Sequence, residues 1–296
     1  MTLRIGTRGS KLALAQAREV AEALEGRGTP TELVPITTSG DRGADPSTDP
    51  AGVKGLFVAE IVRALREGGV DLAVHSAKDL PAIDDEGVVI GAVPERASAL
   101  DVLITRDGEL HAGDRIGTSS LRRQAQVLRW RPDVLLKDLR GNVDTRLRKL
   151  AEGEVDALVL AAAGLLRLGV VPEHAQPMSI AEMVPAPGQG CLAVQARAAD
   201  ASTLEALAAL DHRRSRDALT AERALMARLG GGCALPLGAF AEPSGDGMRM
   251  VAIVLTPEGA RYARAEVEAP TPLEVAELAA LDLAAGGADE ILAAVR

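Results

Sequence analysis

The 296 residues include only two phenylalanines, one tyrosine, one tryptophan, four histidines and two cysteines. Cys191 and Cys233 lie far apart and near no histidine, which excludes a disulfide framework and a Cys/His zinc site, so each is read as a single thiol. His75, His111, His174 and His212 show none of the paired spacing of a zinc hydrolase, and no metal is expected. Neither G-x-x-x-x-G-K-[ST] nor G-x-G-x-x-G occurs, which leaves nucleotide chemistry without support. The longest apolar stretch, near Ala157 to Leu166, falls short of the roughly 20 residues that a membrane-spanning helix needs. The opening MTLRIGTRGS lacks the pattern of a secretory signal, so the expectation is a cytoplasmic protein with no membrane contact.

What remains is a chain 47% hydrophobic and 25% charged, enough for two or three domains with cores of their own. Its net charge of −9 argues against a nucleic-acid partner, but that charge is uneven. Gly113 to Lys149 holds ten Lys/Arg against four Asp/Glu. A basic segment in an acidic protein suits a small anionic ligand in a cleft.

Leu3 to Thr7 reads as a strand, Ser10 as the cap of a helix reaching Glu25 and ended by Gly26, and Thr31 to Thr37 as a second strand. A Gly/Pro/Asp-rich stretch, Thr38 to Gly55, precedes a helix from Leu56 to Glu67 and a strand from Asp71 to His75. The alternation predicts an α/β domain with a largely parallel sheet. An internal repeat extends this. Arg4-Ile5-Gly6-Thr7 recurs as Arg115-Ile116-Gly117-Thr118, and EGGVDLAVHSAKDL (Glu67 to Leu80) aligns with EGEVDALVLAAAGL (Glu152 to Leu165). Two similar α/β domains are therefore expected, the first carrying an extra loop at 38–55. The boundaries read as 1–95 with 190–210 for domain 1, 96–189 for the arginine-rich domain 2, and 211–296 for a small α+β domain 3. The last would comprise a long helix, strands Leu235 to Glu242, Met248 to Thr256 and Arg261 to Ala269, and one C-terminal helix.

Both Gly-Thr turns sit where a strand gives way to a helix, where free N–H groups favour an anion. In the second copy, TSSLRRQ (Thr118 to Gln124) adds hydroxyls and two arginines in the first helical turn. Cations there oppose the helix dipole, so Arg122 and Arg123 need a reason for their position. A bound carboxylate is one reading, and capping serines beside a solvated basic face the other. LRGNVDTRL repeats the chemistry with Arg140 and Arg146, and Arg8 and Arg167 stand at equivalent edges. Several guanidinium forks converging on a cleft suit a polycarboxylate. The strand end VHSAKDLP carries His75, Ser76, Lys78 and Asp79 where the second copy has apolar residues, so chemistry is expected in the first copy. A carboxylate beside cations can carry protons and stabilise a cationic intermediate, or simply close a salt-bridged strand end. In GGGCALPLG, Cys233 follows three glycines, as suits a thiol carrying a covalent adduct, whereas Cys191 in an apolar strand reads as a small buried hydrophobe.

Taken together, IGTRGS, KGLF, VHSAKDLP, GTSSLRRQ, LRGNV, AAGLLRLG, GQG at Gly188 to Gly190, and GGC followed by Pro236 and Gly238 resemble the porphobilinogen deaminase (hydroxymethylbilane synthase) family nearly end to end. The resemblance implies two doubly wound domains like those of periplasmic binding proteins plus a small third domain. It implies a transferase that condenses four porphobilinogens on a dipyrromethane cofactor bound through Cys233. Ammonia is lost at each addition, and the linear tetrapyrrole hydroxymethylbilane is released by hydrolysis. By the same resemblance Asp79 is the catalytic carboxylate, which assists loss of ammonia, stabilises the azafulvene cation and helps remove the α-proton, with Lys78 beside it. Ser76, Lys78, Asp79, Thr118, Ser120, Arg122, Arg123, Asn142, Arg146 and Gly190 match cofactor-binding positions. Arg8, Ser10, Phe57, Ser119, Arg140, Arg167 and Gln189 match substrate-binding ones. Asp41 and Lys54 match the active-site loop. Phe57, one of so few aromatics, is expected to pack on a pyrrole ring. Pro187 departs from the small aliphatic residue of many relatives. A monomer is implied. The competing reading is a non-enzymatic two-domain binding protein for a small polycarboxylate.

Overall fold

The computed structural model describes residues 2–38, 58–230 and 235–295. The described residues of Met1–Ala97 and Cys191–Cys233 form one compact unit, and those of Ser98–Gly190 and Ala234–Arg296 a second.

In the first unit, strand β1 (Leu3–Arg8) leads into helix α1 (Lys11–Glu25). Ser10 caps α1 by accepting the Ala13 N–H at 3.3 Å, and Gln16, Ala17, Val20, Ala21 and Leu24 bury one face. The helix stops at Glu25 as expected, but Gly26 keeps right-handed geometry. It is Gly28, at φ +85°, that turns the chain while its N–H returns to the Glu25 carbonyl. β2 (Thr31–Ile36), helix α2 (Ala59–Arg66), β3 (Leu72–Ser76) and β4 (Val88–Ala92) follow, and β10 (Leu192–Arg197) joins the same sheet late in the chain. The order is β2-β1-β3-β10-β4. β10 runs antiparallel to both neighbours, so four strands share one direction and the fourth in order opposes them.

The second unit contains β5 (Asp101–Thr105), β6 (Arg115–Gly117), helix α3 (Leu121–Trp130), β7 (Leu135–Lys137), helix α4 (Val143–Ala151), β8 (Ala157–Ala161), helix α5 (Ala162–Leu168) and β9 (Ala175–Pro177). Its order, β7-β6-β8-β5-β9, reproduces the first sheet place for place, with β5 as the reversed strand. The repeat extends to side chains. Arg4 donates to Asp71 from Nε at 3.0 Å and Nη2 at 2.7 Å, and its backbone N–H adds a third bond at 2.9 Å. Arg115 grips Asp156 through the same three donors at 2.8, 3.0 and 3.0 Å. Each arginine also reaches a glycine carbonyl, Gly68 or Gly153, at 2.9 Å. These bidentate clamps tie the first strand of each repeat to the third and hold both aspartates below the usual carboxylate range, through the arginine hydrogen bonds first of all. The structure thus contains two similar doubly wound α/β domains.

The C-terminal strands β11 (Leu237–Ser244), β12 (Gly247–Leu255) and β13 (Tyr262–Ala269) form an antiparallel meander. Val251, Ile253 and Leu255 pack with Ala125 and Val184 of the second unit. The single C-terminal helix of the sequence reading is two, α8 (Pro272–Ala285) and α9 (Ala288–Val295), because Gly287 adopts φ +89° between them. α6 (Ala201–Ala208) precedes the long helix α7 (Arg213–Arg228). The sequence reading begins a third domain at 211, yet Leu219 of α7 lies in an apolar cluster of the first unit with Ile61, Leu65, Leu80 and Ala193.

Candidate active site

The Asp79 segment is built on the end of β3. The strand is buried on both faces until Ser76 and apolar through Val74, and a single 3-10 turn, Ala77–Asp79, closes it. The turn is pinned from several sides. The Ala77 N–H donates to the Cys191 carbonyl at 3.0 Å, and buried Leu80 donates back to Ala77 at 3.1 Å. Downstream, Arg223 of α7 donates to the Pro81 carbonyl at 2.8 Å and to Asp84 at 2.9 Å, and Gln195 of β10 also donates to Asp84. Ala77 and Leu80 face inward, which leaves Lys78 and Asp79 half-buried at the rim. The Ser76 hydroxyl bonds the Gln16 amide at 2.7 Å. Arg8 is half-buried at the end of β1, and the Ser10 hydroxyl serves as the α1 cap.

One residue earlier, His75 is 5% exposed and its Nε2 has no hydrogen-bond partner among the described residues. Burial pushes its pKa down to about 4, against the pull of the Asp79 charge, so the imidazole is neutral at physiological pH. Sequence reasoning noted His75 but gave it no role.

The second cluster lies entirely within the second unit. Thr118 directly follows β6, buried, and its Oγ1 accepts the Ser120 N–H at 3.2 Å. Ser120 occupies the α3 cap position without using its hydroxyl as a cap, and Ser119 beside it is half-buried. Arg122 and Arg123, far from forming a solvated face, are only 4% and 7% exposed. They turn inward onto Asp101, a fully buried carboxylate at the start of β5. Arg123 donates to its Oδ1 from Nε at 3.0 Å and from Nη2 at 2.7 Å. Arg122 Nη1 lies 2.8 Å from Oδ2 and donates to the Val184 carbonyl at 2.7 Å. Gln189 Nε2 adds bonds to Asp101 Oδ1 at 3.1 Å and to the Ala99 carbonyl at 2.7 Å. Gln189 sits between Gly188 and Gly190, at φ +74° and +87°, a backbone path that favours glycine on either side of it.

The reason for two cations in the first turn of α3 is therefore internal: Asp101 supplies the carboxylate that the sequence argument assigned to a ligand. The balance is nonetheless incomplete. Two guanidinium groups share one carboxylate, Arg122 Nε has no hydrogen-bond partner among the described residues, and burial together with Arg123 lowers the Arg122 pKa against the pull of Asp101. Asp101 itself is held far below the usual carboxylate range, the two arginines outweighing its burial. The Arg123 charge also lowers the pKa of half-buried Arg146, after desolvation, which places a third cation within electrostatic reach. Such a surplus of buried positive charge fits a ligand bearing carboxylates.

The other expected residues are more loosely arranged. Arg146 donates to the Gly141 carbonyl at 2.8 Å, and exposed Asn142 is the α4 cap residue with its side chain unused as a cap. Exposed Arg140 pairs with Asp138 at 3.2 Å. Arg167 donates to the Gly190 carbonyl at 3.2 Å. Asp41, Lys54, Phe57 and Cys233 lie outside the described residues. Among the described residues no cluster of His, Cys, Asp and Glu could hold a metal, and no helix is long and apolar enough to cross a membrane.

Asp101 is the residue that motif reading missed. The available signal was an acid opening the otherwise apolar run DVLIT, where an unpaired charge could not be buried.

Comparison with known proteins gives the family. The porphobilinogen deaminase dipyromethane cofactor binding domain matches residues 3–205, and the porphobilinogen deaminase C-terminal domain matches residues 217–286. A porphobilinogen deaminase of Roseiflexus sp. is 51% identical over 83% of each chain. One from Syntrophotalea carbinolica is 46% identical over 99% of this chain and 96% of its own. Among solved structures, the methionine binding protein MetQ overlaps 70% of this chain and 88% of its own at a TM-score of 0.45 and 11% identity. With both domains matched in order and a curated relative aligned along nearly its whole length, the chain belongs to the porphobilinogen deaminase family.

Proposed function

We propose that the chain is a hydroxymethylbilane-forming transferase, which joins four porphobilinogen molecules head to tail with loss of ammonia at each addition and releases the linear tetrapyrrole by hydrolysis. The observation that carries the reading is the buried, positively unbalanced cluster of Arg122 and Arg123 on Asp101, with Arg122 Nε lacking a hydrogen-bond partner among the described residues. Porphobilinogen and a dipyrromethane both bear acetate and propionate groups, and such a cluster binds them through charge-assisted hydrogen bonds. Dipyrromethane, held through Cys233, supplies when bound the pyrrole carbon to which the first substrate is joined. Thr118, Ser120, Arg122, Arg123, Asn142, Arg146 and Gly190 would hold it, with Ser76, Lys78 and Asp79. Arg8, Ser10, Phe57, Ser119, Arg140, Arg167 and Gln189 would meet the incoming substrate, and Asp41 and Lys54 would belong to the active-site loop.

The turn at Asp79 suits the proton work. Its backbone is anchored by Cys191 and Arg223, so the half-buried carboxylate has a fixed position from which to act. Protonated, it can pass a proton to the departing amine. Anionic, it can stabilise the positive charge left on the substrate carbon, then accept the proton displaced from the attacking pyrrole. Lys78 beside it offers an ammonium to ligand carboxylates. We read the protein as a cytoplasmic monomer that binds no nucleic acid, in keeping with its net charge of −9. The family match does not favour the polycarboxylate-binding alternative.

The test is ammonia and tetrapyrrole release from porphobilinogen by the wild type and Asp79→Asn. The amide can neither donate the acid proton nor accept one, and turnover is expected to fall by about two to four orders of magnitude. Wild-type turnover in the variant would remove Asp79 from the mechanism. No turnover by the wild type would remove the function.

A further inference from the structure

We propose that Asp101 is a positioning residue for the anion site, aligning Arg122, Arg123 and Gln189 on a single carboxylate before any ligand arrives. This rests on the functional reading above and adds a residue to it. Asp101 is fully buried, and its backbone is fixed on both sides of β5: its residue pairs with Ala161 in the sheet, and its carbonyl accepts the Met178 N–H at 2.9 Å. Its carboxylate therefore has little freedom, and the longer side chains come to it. Arg122, Arg123 and Gln189 reach it from two separate segments at 2.7 to 3.1 Å.

The arrangement does two things at once. It holds two guanidinium planes, normally mobile at the ends of long side chains, in fixed orientations, so less rotamer freedom remains to be lost when a ligand binds. It also cancels one of the two buried charges. Without Asp101, two like charges would share a buried site and the helix N-terminus would oppose both. With it, one positive charge is left, and Arg122 Nε is a donor without a hydrogen-bond partner among the described residues. A ligand carboxylate thus meets donors already arranged and a charge deficit of one.

The experiment follows covalent loading by intact mass. Chain purified without cofactor is given porphobilinogen, and the rate of adduct formation per folded molecule is measured for wild type, Asp101→Asn and Asp101→Glu, with melting curves on each and a KM and kcat for the loaded fraction. Asp101→Asn is expected to load at least ten-fold more slowly and to show a raised KM with a smaller change in kcat. Asp101→Glu keeps the charge but moves the carboxylate by one methylene. It covers the case in which the Asn variant does not fold, and it is expected to load more slowly than wild type but faster than Asn. Folded variants that load at the wild-type rate with unchanged KM, melting lower and nothing else, would make Asp101 a purely structural ion and overturn the proposal. If the wild type itself gains no mass, it is the functional reading that has failed.

Discussion

His75 is expected to make folding stability depend on pH in a window where few other groups act. An unfolded histidine titrates near 6.5, and in the folded protein burial brings His75 down to about 4. The folded state therefore resists protonation that the unfolded state accepts. The stability that goes with neutral His75 is fully present above pH 6.5, is lost as the pH falls from there toward 4, and cannot fall further once both states are protonated. Linkage puts the full loss at about 3 kcal/mol, and about 2 kcal/mol of it between pH 7 and pH 5. Asp71, Asp101, Asp156 and Asp200 are likewise held below their ordinary values but start from the carboxylate range, so their contributions are lost only as the pH drops through and below that range. Urea unfolding of the wild type and of His75→Gln at pH 7 and pH 5 isolates the effect, because glutamine does not titrate. The variant is expected to be less stable than wild type at pH 7, through the change in packing, but to lose about 2 kcal/mol less between the two pH values. Equal losses in both proteins would refute the argument that buried His75 is held neutral.

Two further outcomes follow from the repeat and from the sequence. A Cβ on Gly117 would come within 2.7 Å of Leu139 Cδ2, 3.0 Å of Leu158 Cδ2 and 3.2 Å of Val155 Cγ1, whereas one on Gly6 comes no closer than 3.0 Å, to Val70 Cγ2, with Ile36 Cδ1 and Val70 Cγ1 at 3.4 Å. Gly117→Ala is therefore expected to cost about 1–3 kcal/mol in denaturant unfolding and Gly6→Ala less, and the reverse order would contradict the packing described for β6. Phe57→Ala is expected to slow turnover while leaving the melting temperature close to wild type, as suits an aromatic that packs on a pyrrole ring, and an unchanged rate would count against that role.

Much of the fold was legible because it is written in local signals. The Ser10 cap, the apolar strands around Val74 and Val159 and the repeated Arg-Ile-Gly-Thr strand each depend on neighbours in sequence. The repeat even carried its clamp, since Arg4 and Asp71 recur as Arg115 and Asp156. What stayed hidden depends on partners distant along the chain. The core that receives Leu219 of α7 includes Ile61 and Ala193, and no periodicity within the helix names them. The same holds for the site. Arg122 and Arg123 stood out by motif and by their conflict with the helix dipole, but the carboxylate resolving that conflict lies more than twenty residues earlier, at the start of β5, and no spacing within α3 names it.

The central claim is that the arginine cluster serves a dipyrromethane bound covalently through Cys233, and the intact mass of the denatured protein tests it most directly. The wild type is expected to be heavier than its sequence by two linked pyrrole units, either as purified or after incubation with porphobilinogen, and Cys233→Ala to have the mass of its sequence alone. A wild type that stays at its sequence mass after incubation, or a Cys233→Ala protein that carries the same adduct, would contradict the account.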